Sequence, residues 1–180
     1  MIGTLLLLLT FSEPAKAADR CQPLVPAALA AALGKAYPDH RLPRGTDQDE
    51  FNIRRNIKTG GTGCLGVAHG DFNGDRQRDT AVLLAAKGKG ETLLVAALRE
   101  GPSWRLELVE TEDVGIGSKY VDIVEPGEHE SRFFGQSPPE PNEVKTITSR
   151  TQGIATGMLE STMRFFFRVD GRWVFVWISD

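Results

Sequence analysis

The strongest constraint on the fold is a series of short apolar runs that are separated by turns containing glycine. Residues 80–86 and 92–98 are compact apolar runs, and residues 104–109 alternate between apolar and charged side chains. In this third run, one face carries the apolar side chains Trp104, Leu106 and Leu108. Short runs joined by tight turns are typical of strands and not of helices. They predict a three-stranded antiparallel meander.

The C-terminal half has the same organisation. Four more segments have the composition of strands: residues 119–124, 154–160, 162–169 and 173–178. The last two are joined by Asp170-Gly171, a dipeptide typical of a type I′ hairpin turn. Residues 125–142 contain four prolines, and we expect a loop there. The aromatic side chains of these strands are more typical of a core than of an exposed platform.

The N-terminal part of the chain has one helical segment. Residues 24–36 are rich in alanine and leucine and end before Pro38, which predicts a short helix. Residues 40–56 show no clear period and are expected to form a connecting segment. The predicted fold class is α+β, mostly antiparallel β, with two hairpin-rich sheets and one N-terminal helix in a single domain over residues 18–180.

The first seventeen residues are typical of a secretory signal peptide. Leu5 to Leu9 form an unbroken apolar run, and Ala15-Lys16-Ala17 provides small residues at a cleavage position. The apolar stretch is too short to cross a bilayer of roughly 30 Å as a helix. Neither lysine nor arginine precedes it, so an uncleaved anchor and a start codon assigned downstream of the true one are alternatives. The mature chain is expected to be periplasmic or secreted, without a transmembrane segment.

Export affects the interpretation of the two cysteines, Cys21 and Cys64. In an oxidising compartment the pair is expected to form a disulfide. A loop of this length would constrain the unfolded chain by roughly 4 kcal/mol in the chain-entropy model. The alternative is two free, buried thiols.

The formal net charge of −3 excludes a general nucleic-acid binder, which needs a basic surface. The chain contains no nucleophile elbow, no H-E-x-x-H sequence and no phosphate-binding loop with its lysine. No catalytic residue is therefore predicted from a motif.

One stretch has the spacing of a metal-binding loop. Side-chain oxygens recur at its first, third, fifth and ninth positions, and a main-chain carbonyl is available at the seventh: Asp71, Asn73, Asp75, Asp79 and Gln77. Calcium is a hard cation that binds six to eight oxygens in proteins. Carboxylates on alternate residues of a tight loop converge on one point, so Ca²⁺ is the expected ligand. The alternative is an Asx-rich turn that hydrogen-bonds its own backbone and binds no metal.

The loop resembles the calcium loops of FG-GAP and VCBS-type repeats. In those repeats a D-x-[DN]-x-D-G-x-x-D loop precedes an apolar strand, as residues 71–79 precede residues 80–84 here. It is not an EF-hand, because Val82 stands where the twelfth-position glutamate would be. Arg76 replaces the usual glycine, at a cost on the order of 1 kcal/mol if its φ is positive. The resemblance implies a structural calcium ion and no particular activity.

Three functions remain open from the sequence. The leading one is a non-enzymatic exported binding or interaction protein with a structural calcium loop and an unknown protein or carbohydrate partner in the envelope. The second is a small envelope hydrolase that uses the Asp cluster near His69, which predicts a cleft beside the loop. The third is an inhibitor-like module with an exposed aromatic patch on the C-terminal sheet.

Overall fold

Antiparallel strands dominate the computed structural model of the protein, which describes residues 19–88 and 90–179. The fold class is α+β with mostly antiparallel strands, so this prediction is confirmed. The elements in chain order are α1 (Ala27–Ala36), β1 (His40–Arg41), α2 (Glu50–Lys58), β2 (Val67–Gly70), β3 (Asp79–Ala86), β4 (Thr92–Glu100), β5 (Ser103–Glu112), β6 (Lys119–Val124), β7 (Gly127–Glu130), β8 (Thr146–Ser149), β9 (Gly153–Met158), β10 (Met163–Val169) and β11 (Arg172–Ser179). The expected signal peptide, residues 1–17, lies outside the described residues.

The strands form two larger sheets and a separate hairpin. The first sheet has the order β1-β3-β4-β5, and β2 pairs with β3 on the same edge as β1. The second sheet has the order β11-β10-β9-β6, and β7 pairs with β8. All of these pairings are antiparallel. The meander β3-β4-β5 and the hairpin β10-β11 are those that the sequence predicts.

The main core lies between the two larger sheets. Residues 79–85 of β3 are buried without interruption, as their continuous apolar pattern predicts for a strand covered on both faces. Because side chains alternate along a strand, Leu83 packs between the sheets whereas Leu84 packs on the opposite side. The second sheet contributes Ile154 and Phe166 to the core between the sheets.

The helix α1 covers the outer face of the first sheet. Leu29 and Leu33, one helical turn apart, are buried against this face. Cys21 and Cys64 form a disulfide in the same core, so the predicted pairing is confirmed. The outer face of the second sheet packs around Ile147 of β8. No helix among the described residues has the length and hydropathy that a membrane span requires.

A second helix follows β1, so the predictions of one N-terminal helix and of a connecting segment over residues 40–56 were wrong. The Asp49 side chain caps α2 by accepting the Asn52 N–H at 2.9 Å. Ile53 is the buried residue of this helix, whereas Phe51 is 62% exposed. Since α2 has one buried apolar position, it lacks the apolar stripe from which a helix is recognised in a sequence.

The predicted loop over residues 125–142 contains a strand. In β7, His129 lies opposite Ile147 of β8, and its ring stacks on Phe167 with the centroids 4.9 Å apart. The strand has the sequence Gly-Glu-His-Glu and therefore no apolar alternation. Its structure depends on pairing with a segment more than ten residues away, which a local pattern does not show.

A β-bulge ends the predicted alternation in β5. The pairing with β4 shifts between Leu94 and Val95, which lie opposite Glu110 and Leu108. The extra residue is Val109, which packs on the core between the sheets. Leu108 shares the face of Trp104 and Leu106, since it lies opposite Val95 as Leu106 lies opposite Ala97, but it is 50% exposed. The bulge directs Glu110 toward the second sheet, where it meets an arginine of β10.

The C-terminal hairpin has the predicted turn and an aromatic interior. Asp170 and Gly171 have φ values of 47° and 79°, as a type I′ turn requires. Phe166, Phe167 and Phe175 are buried. The remaining aromatic side chains of β10 and β11 are buried or half-buried, so they do not form the exposed patch expected for an inhibitor-like module.

Candidate functional site

The predicted calcium loop is the connection between β2 and β3. Gly70 at the end of β2 pairs with Asp79 at the start of β3, so the two ends of the loop lie side by side. The structure places the predicted ligand residues in this connection or at its end: Asp71, Asn73, Asp75, Gln77 and Asp79. Antiparallel pairing of the flanking strands therefore closes the loop.

Asp79 is the buried member of the set, with no exposed surface. Its Oδ2 accepts the Phe72 backbone N–H at 2.9 Å, and its Oδ1 accepts the Arg99 backbone N–H at 2.7 Å. Burial raises the pKa of Asp79 above its ordinary value, and the two backbone donors oppose this shift. The charges of Asp75 and Asp71 raise the pKa further. Asp79 thus joins the loop to the core and to β4.

Asp71 and Asn73 shape the first half of the loop. The two carboxylate oxygens of Asp71 accept the backbone N–H groups of Gly74 at 2.7 Å and Arg76 at 2.9 Å. The Asn73 side-chain oxygen accepts the Asp75 N–H at 3.0 Å. These are the contacts of Asx turns, in which a short polar side chain satisfies the backbone that follows it.

Asp75 and Gln77 form the exposed second half of the loop. The Asp75 carboxylate accepts the Gln77 N–H at 2.7 Å and the Gln77 side-chain amide at 3.1 Å. The hydrogen bond from the Gln77 backbone lowers the pKa of Asp75 below its ordinary value. The other end of the Gln77 amide accepts the Gly101 N–H at 3.1 Å, so the loop also contacts the turn between β4 and β5.

The loop residues fit calcium in their chemistry. They offer carboxylate and amide oxygens, and the carboxylate oxygens keep a lone pair beyond one hydrogen bond, except Asp75 Oδ2, which accepts from both the Asn73 and the Gln77 amide. Asp71 and Asp75 raise the pKa of Asp79, so the three carboxylates repel one another and a divalent cation would reduce that repulsion. Across residues 19–88 and 90–179, no group of three His, Cys, Asp or Glu side chains has the arrangement of a metal site. Calcium binding stays a prediction.

Arg76 stands where FG-GAP and VCBS-type loops have glycine, and its backbone has the left-handed conformation. Its φ is 64°, and that of Gly74 is 82°. A residue with a Cβ in this region is strained by roughly 1–2 kcal/mol, whereas glycine is not. The expected strain at Arg76 is therefore confirmed in its backbone geometry.

The second sheet holds the loop from the other side. Gln152 accepts the Asp71 N–H with its Oε1 at 3.0 Å and donates its own backbone N–H to the Asp71 carbonyl at 3.1 Å. The Gln152 amide also donates to Glu125 at 3.1 Å. Sequence reasoning missed this residue, because it lies 81 positions after Asp71 and belongs to no motif.

A cavity of about 500 Å³ adjoins the loop. It lies at the end of the first sheet, between the segment that precedes α1 and the turn from β4 to β5. Gln77 and Arg78 of the loop form part of its wall, together with Arg99, Trp104 and Leu24. The size is within the range of small-molecule sites in proteins, about 300–1,000 Å³. A cleft beside the loop was expected for the hydrolase alternative, but its lining residues come from distant segments, so local patterns did not identify them.

His69, the histidine predicted to lie near the Asp cluster, lines the same cavity. Its Nδ1 is 3.1 Å from the Thr80 Oγ1. Burial lowers the pKa of His69, and the positive charge of Arg78 lowers it further. Within the described part of the chain, no carboxylate is hydrogen-bonded to the His69 ring. The pairing is therefore with a hydroxyl group, and a histidine–carboxylate pair does not form.

A buried ionic cluster lies between the two sheets, away from the loop. The Arg164 guanidinium is 2.5 Å from Glu110 and also contacts Glu112, while Lys119 is 2.5 Å from Glu112. Burial raises the pKa of Glu110 to about 7, although Arg164 opposes this shift. Burial also disfavours the ionised form of Glu112, but Lys119 and Arg164 outweigh it and lower the pKa of that residue. We assign this cluster to the joining of the sheets.

The sequence contained a signal for this interface that local reasoning did not use. Arg164 and Arg168 alternate with apolar residues on β10, and their side chains are only 12% and 17% exposed. Arg168 pairs with Glu107 at 2.9 Å, and Trp173 donates to the same carboxylate at 2.9 Å. The charges of β5 and β10 are complementary, which becomes visible once the two strands are known to face each other.

Comparison with known proteins adds no family to this description. No protein-family model, no curated protein and no solved structure matches the chain. The resemblance to FG-GAP and VCBS-type loops therefore stays a prediction that depends on residues 71–84.

Proposed function

We propose that this protein is an exported, non-enzymatic binding protein, periplasmic or secreted, in which a structural calcium ion stabilises the loop 71–79 beside the binding cavity. The loop resembles those of FG-GAP and VCBS-type repeats, which is the basis for calcium. The disulfide between Cys21 and Cys64 supports an oxidising compartment and hence export. The partner belongs to the envelope or the cell exterior.

The observation that carries the proposal is that the loop builds one wall of the cavity. Gln77 and Arg78 line it directly. Asp79 holds the backbone of Arg99, which also lines the cavity. A loop that is fixed in this way positions cavity residues of the loop and of β4 together, so an ion that orders the loop also orders the binding surface.

Calcium would be held by Asp71, Asn73, Asp75, Asp79 and the main-chain carbonyl of Gln77. When bound, it supplies positive charge that compensates three carboxylates. The chain contributes the rest: the backbone N–H groups that orient the carboxylates, the burial of Asp79 and the contact of Gln152 with Asp71. The ion is structural in this proposal, since the loop connects a turn to a buried strand.

The proposal is tested by following backbone amide signals in a calcium titration by NMR. We expect saturable shifts in the loop that extend to the cavity, at Arg99 and Gly101. Amides of the helix α2, none of whose residues lines the cavity, are the internal control and should not move. Shifts confined to the exposed loop, with Arg99 and Gly101 unchanged, would contradict the coupling of the loop to the cavity.

A small envelope hydrolase is the second candidate, favoured by the presence of His69 in a cavity beside the loop. His69 and the Thr80 hydroxyl are the polar pair there, 3.1 Å apart. Turnover of simple ester or phosphoester substrates that is lost in His69→Gln, with the folded structure retained, would establish this candidate in place of the first. Absence of turnover of these ester and phosphoester substrates would favour the binding protein.

A further inference from the structure

We propose that the cavity beside the loop binds a small organic anion, a carboxylate or phosphate monoester with an apolar group, through the guanidinium groups of Arg78 and Arg99. This inference rests on the proposed binding function and adds the chemical class of its ligand. The cavity combines two arginines, a fixed position of Arg99 and apolar lining residues.

The two arginines are cations without a carboxylate partner. Across residues 19–88 and 90–179, neither Arg78 nor Arg99 forms a salt bridge, whereas Arg41, Arg164 and Arg168 do. Both line the cavity. Guanidinium groups recognise carboxylates and phosphates through paired, charge-assisted hydrogen bonds. The cavity wall therefore offers two such groups to an incoming anion.

Arg99 is held in position before any ligand binds. Its Nε donates to the Gly101 carbonyl, and its guanidinium carbon lies 4.8 Å from the centroid of the Trp104 ring. Asp79 fixes the backbone N–H of the same residue at 2.7 Å. The terminal amino groups of Arg99 donate to no described residue, so they are available to an anion. A fixed side chain loses less conformational freedom on binding than a free one.

The neighbouring carboxylates are already engaged. Asp79 is buried, and both of its oxygens accept backbone N–H groups. Asp75 accepts the Gln77 backbone and side-chain amide. Neither forms a salt bridge with a cavity arginine among the described residues. The charged groups that line the cavity are therefore the two arginines.

Apolar side chains line the same cavity as these charges. Pro23, Leu24 and Pro26 come from the segment around the start of α1, and Trp104 comes from β5. The disulfide of Cys21 lies two residues before Pro23 and attaches this segment to the core. Apolar walls with a few polar anchoring groups are the usual composition of small-molecule sites. This arrangement fits an anion that carries an aromatic or alkyl group better than a bare inorganic ion.

The test is titration of the protein with benzoate and with phenyl phosphate, followed by calorimetry and by backbone amide NMR. Acetate tests the anion without the apolar group, and benzamide tests the apolar group without the charge. We expect benzoate or phenyl phosphate to shift the amides of Arg99 and Gly101. Binding of acetate and benzamide should be weaker by about tenfold or more, since a charge-assisted contact or the apolar contact is missing. If benzoate binds more tightly than phenyl phosphate, the site prefers carboxylates; the reverse order shows a preference for phosphate monoesters.

Matched variants assign the site to its residues. Arg99→Gln and Arg78→Gln should each weaken binding by about tenfold or more. Arg76→Gln changes the same charge in the same loop, outside the residues that line the cavity, and should leave affinity within about twofold. Equal losses in all three variants, acetate binding as tightly as benzoate, or no binding of either aromatic anion at about 10 mM would overturn the proposal, since ordinary ligand sites are tighter.

Failure of this inference is distinguishable from failure of the proposed function. Each titration is repeated with saturating calcium and with a chelator. A calcium response in the loop without any anion response overturns the anion site and leaves the calcium-loop binding protein intact. Anion binding that depends on Arg99 and Arg78, but without any calcium response, supports the anion site and removes calcium from the proposed function.

Discussion

The carboxylate of Asp79 accepts the backbone N–H of Arg99 at 2.7 Å, which joins the start of β3 to β4 beside the cavity. The other oxygen of the same carboxylate holds the N–H of Phe72, a fully buried residue in the loop. One side chain thus connects the core, the calcium-type loop and the cavity wall. The expected consequence is that Asp79 stabilises the fold even when no metal is bound.

Asp79→Ala should lower the free energy of unfolding by about 2 kcal/mol, because the buried Phe72 N–H and the part-buried Arg99 N–H lose their acceptor, at about 1–3 kcal/mol for a buried donor. Urea unfolding in the presence of a chelator measures this change without a contribution from calcium. Asp75→Ala is the control in the same loop, and since Asp75 is exposed it should have little effect under these conditions. Equal destabilisation by the two variants would contradict the role given to Asp79.

Arg76→Gly should raise the free energy of unfolding by up to about 1 kcal/mol. Glycine removes the strain of a residue with a φ of 64°, and the greater freedom of glycine in the unfolded chain offsets part of the gain. Arg76→Ala retains the Cβ and should show no gain, which separates backbone strain from loss of charge. Thermal unfolding of the three proteins decides the point, and a gain in the alanine variant equal to that in the glycine variant would argue against strain.

The contribution of Glu110 to stability should fall as the pH rises from about 4.5 to about 7. The pKa of Glu110 is raised from 4.5 to about 7 by burial, so in this window the folded protein keeps a proton that the unfolded chain has lost. The contribution of Glu110 is therefore complete below pH 4.5 and is lost as the pH passes about 7, up to roughly 3 kcal/mol. The pKa of Glu112 is lowered from 4.5, so the contribution of Glu112 to stability has the opposite sign and changes only at pH values below 4.5.

Glu110→Gln removes the titrating group and keeps the shape of the side chain. Urea unfolding from pH 4.5 to pH 8 should then show a flatter pH dependence than the wild type. The groups that face Glu110 are Arg164, Glu112 and Lys119, and they are unchanged in this variant. An identical pH dependence in the variant and the wild type would show that another group is responsible.

Removal of the disulfide should lower the free energy of unfolding by about 4 kcal/mol. Cys21 and Cys64 are separated by 43 residues, and the estimate comes from the lost constraint on the unfolded chain. The double variant Cys21→Ala with Cys64→Ala measures the effect by urea unfolding. The wild type under reducing conditions is the matched comparison. Unchanged stability in both would contradict a structural role for the bond.

The parts of the fold that the sequence predicted are those with local signals. The uninterrupted apolar run of β3 and the Asp170-Gly171 turn each follow from the residues at that place. The helix α2 was missed because Ile53 is its buried residue, and one buried apolar position makes no apolar stripe in the sequence. The strand β7 was missed because it depends on pairing with β8.

The candidate site divides in the same way. The loop was located from the spacing of its oxygens, but Gln152, the cavity and the Glu110–Arg164 pair come from segments far apart in the chain. The bulge that directs Glu110 inward also has no local signature, because it depends on the register between β4 and β5. Pairing of distant segments, and not residue type, decides these features.

Calcium binding at the loop 71–79 is measured by calorimetric titration of the metal-stripped protein beside an Asp75→Ala variant. We expect saturable binding in the wild type, an increase in unfolding temperature with calcium, and loss of both in the variant. At free calcium a hundredfold above the dissociation constant, the ion would add about 2.7 kcal/mol of stability. Absence of heat and of any melting shift at millimolar calcium would contradict the claim and reduce the loop to the Asx-rich turn that its hydrogen bonds form.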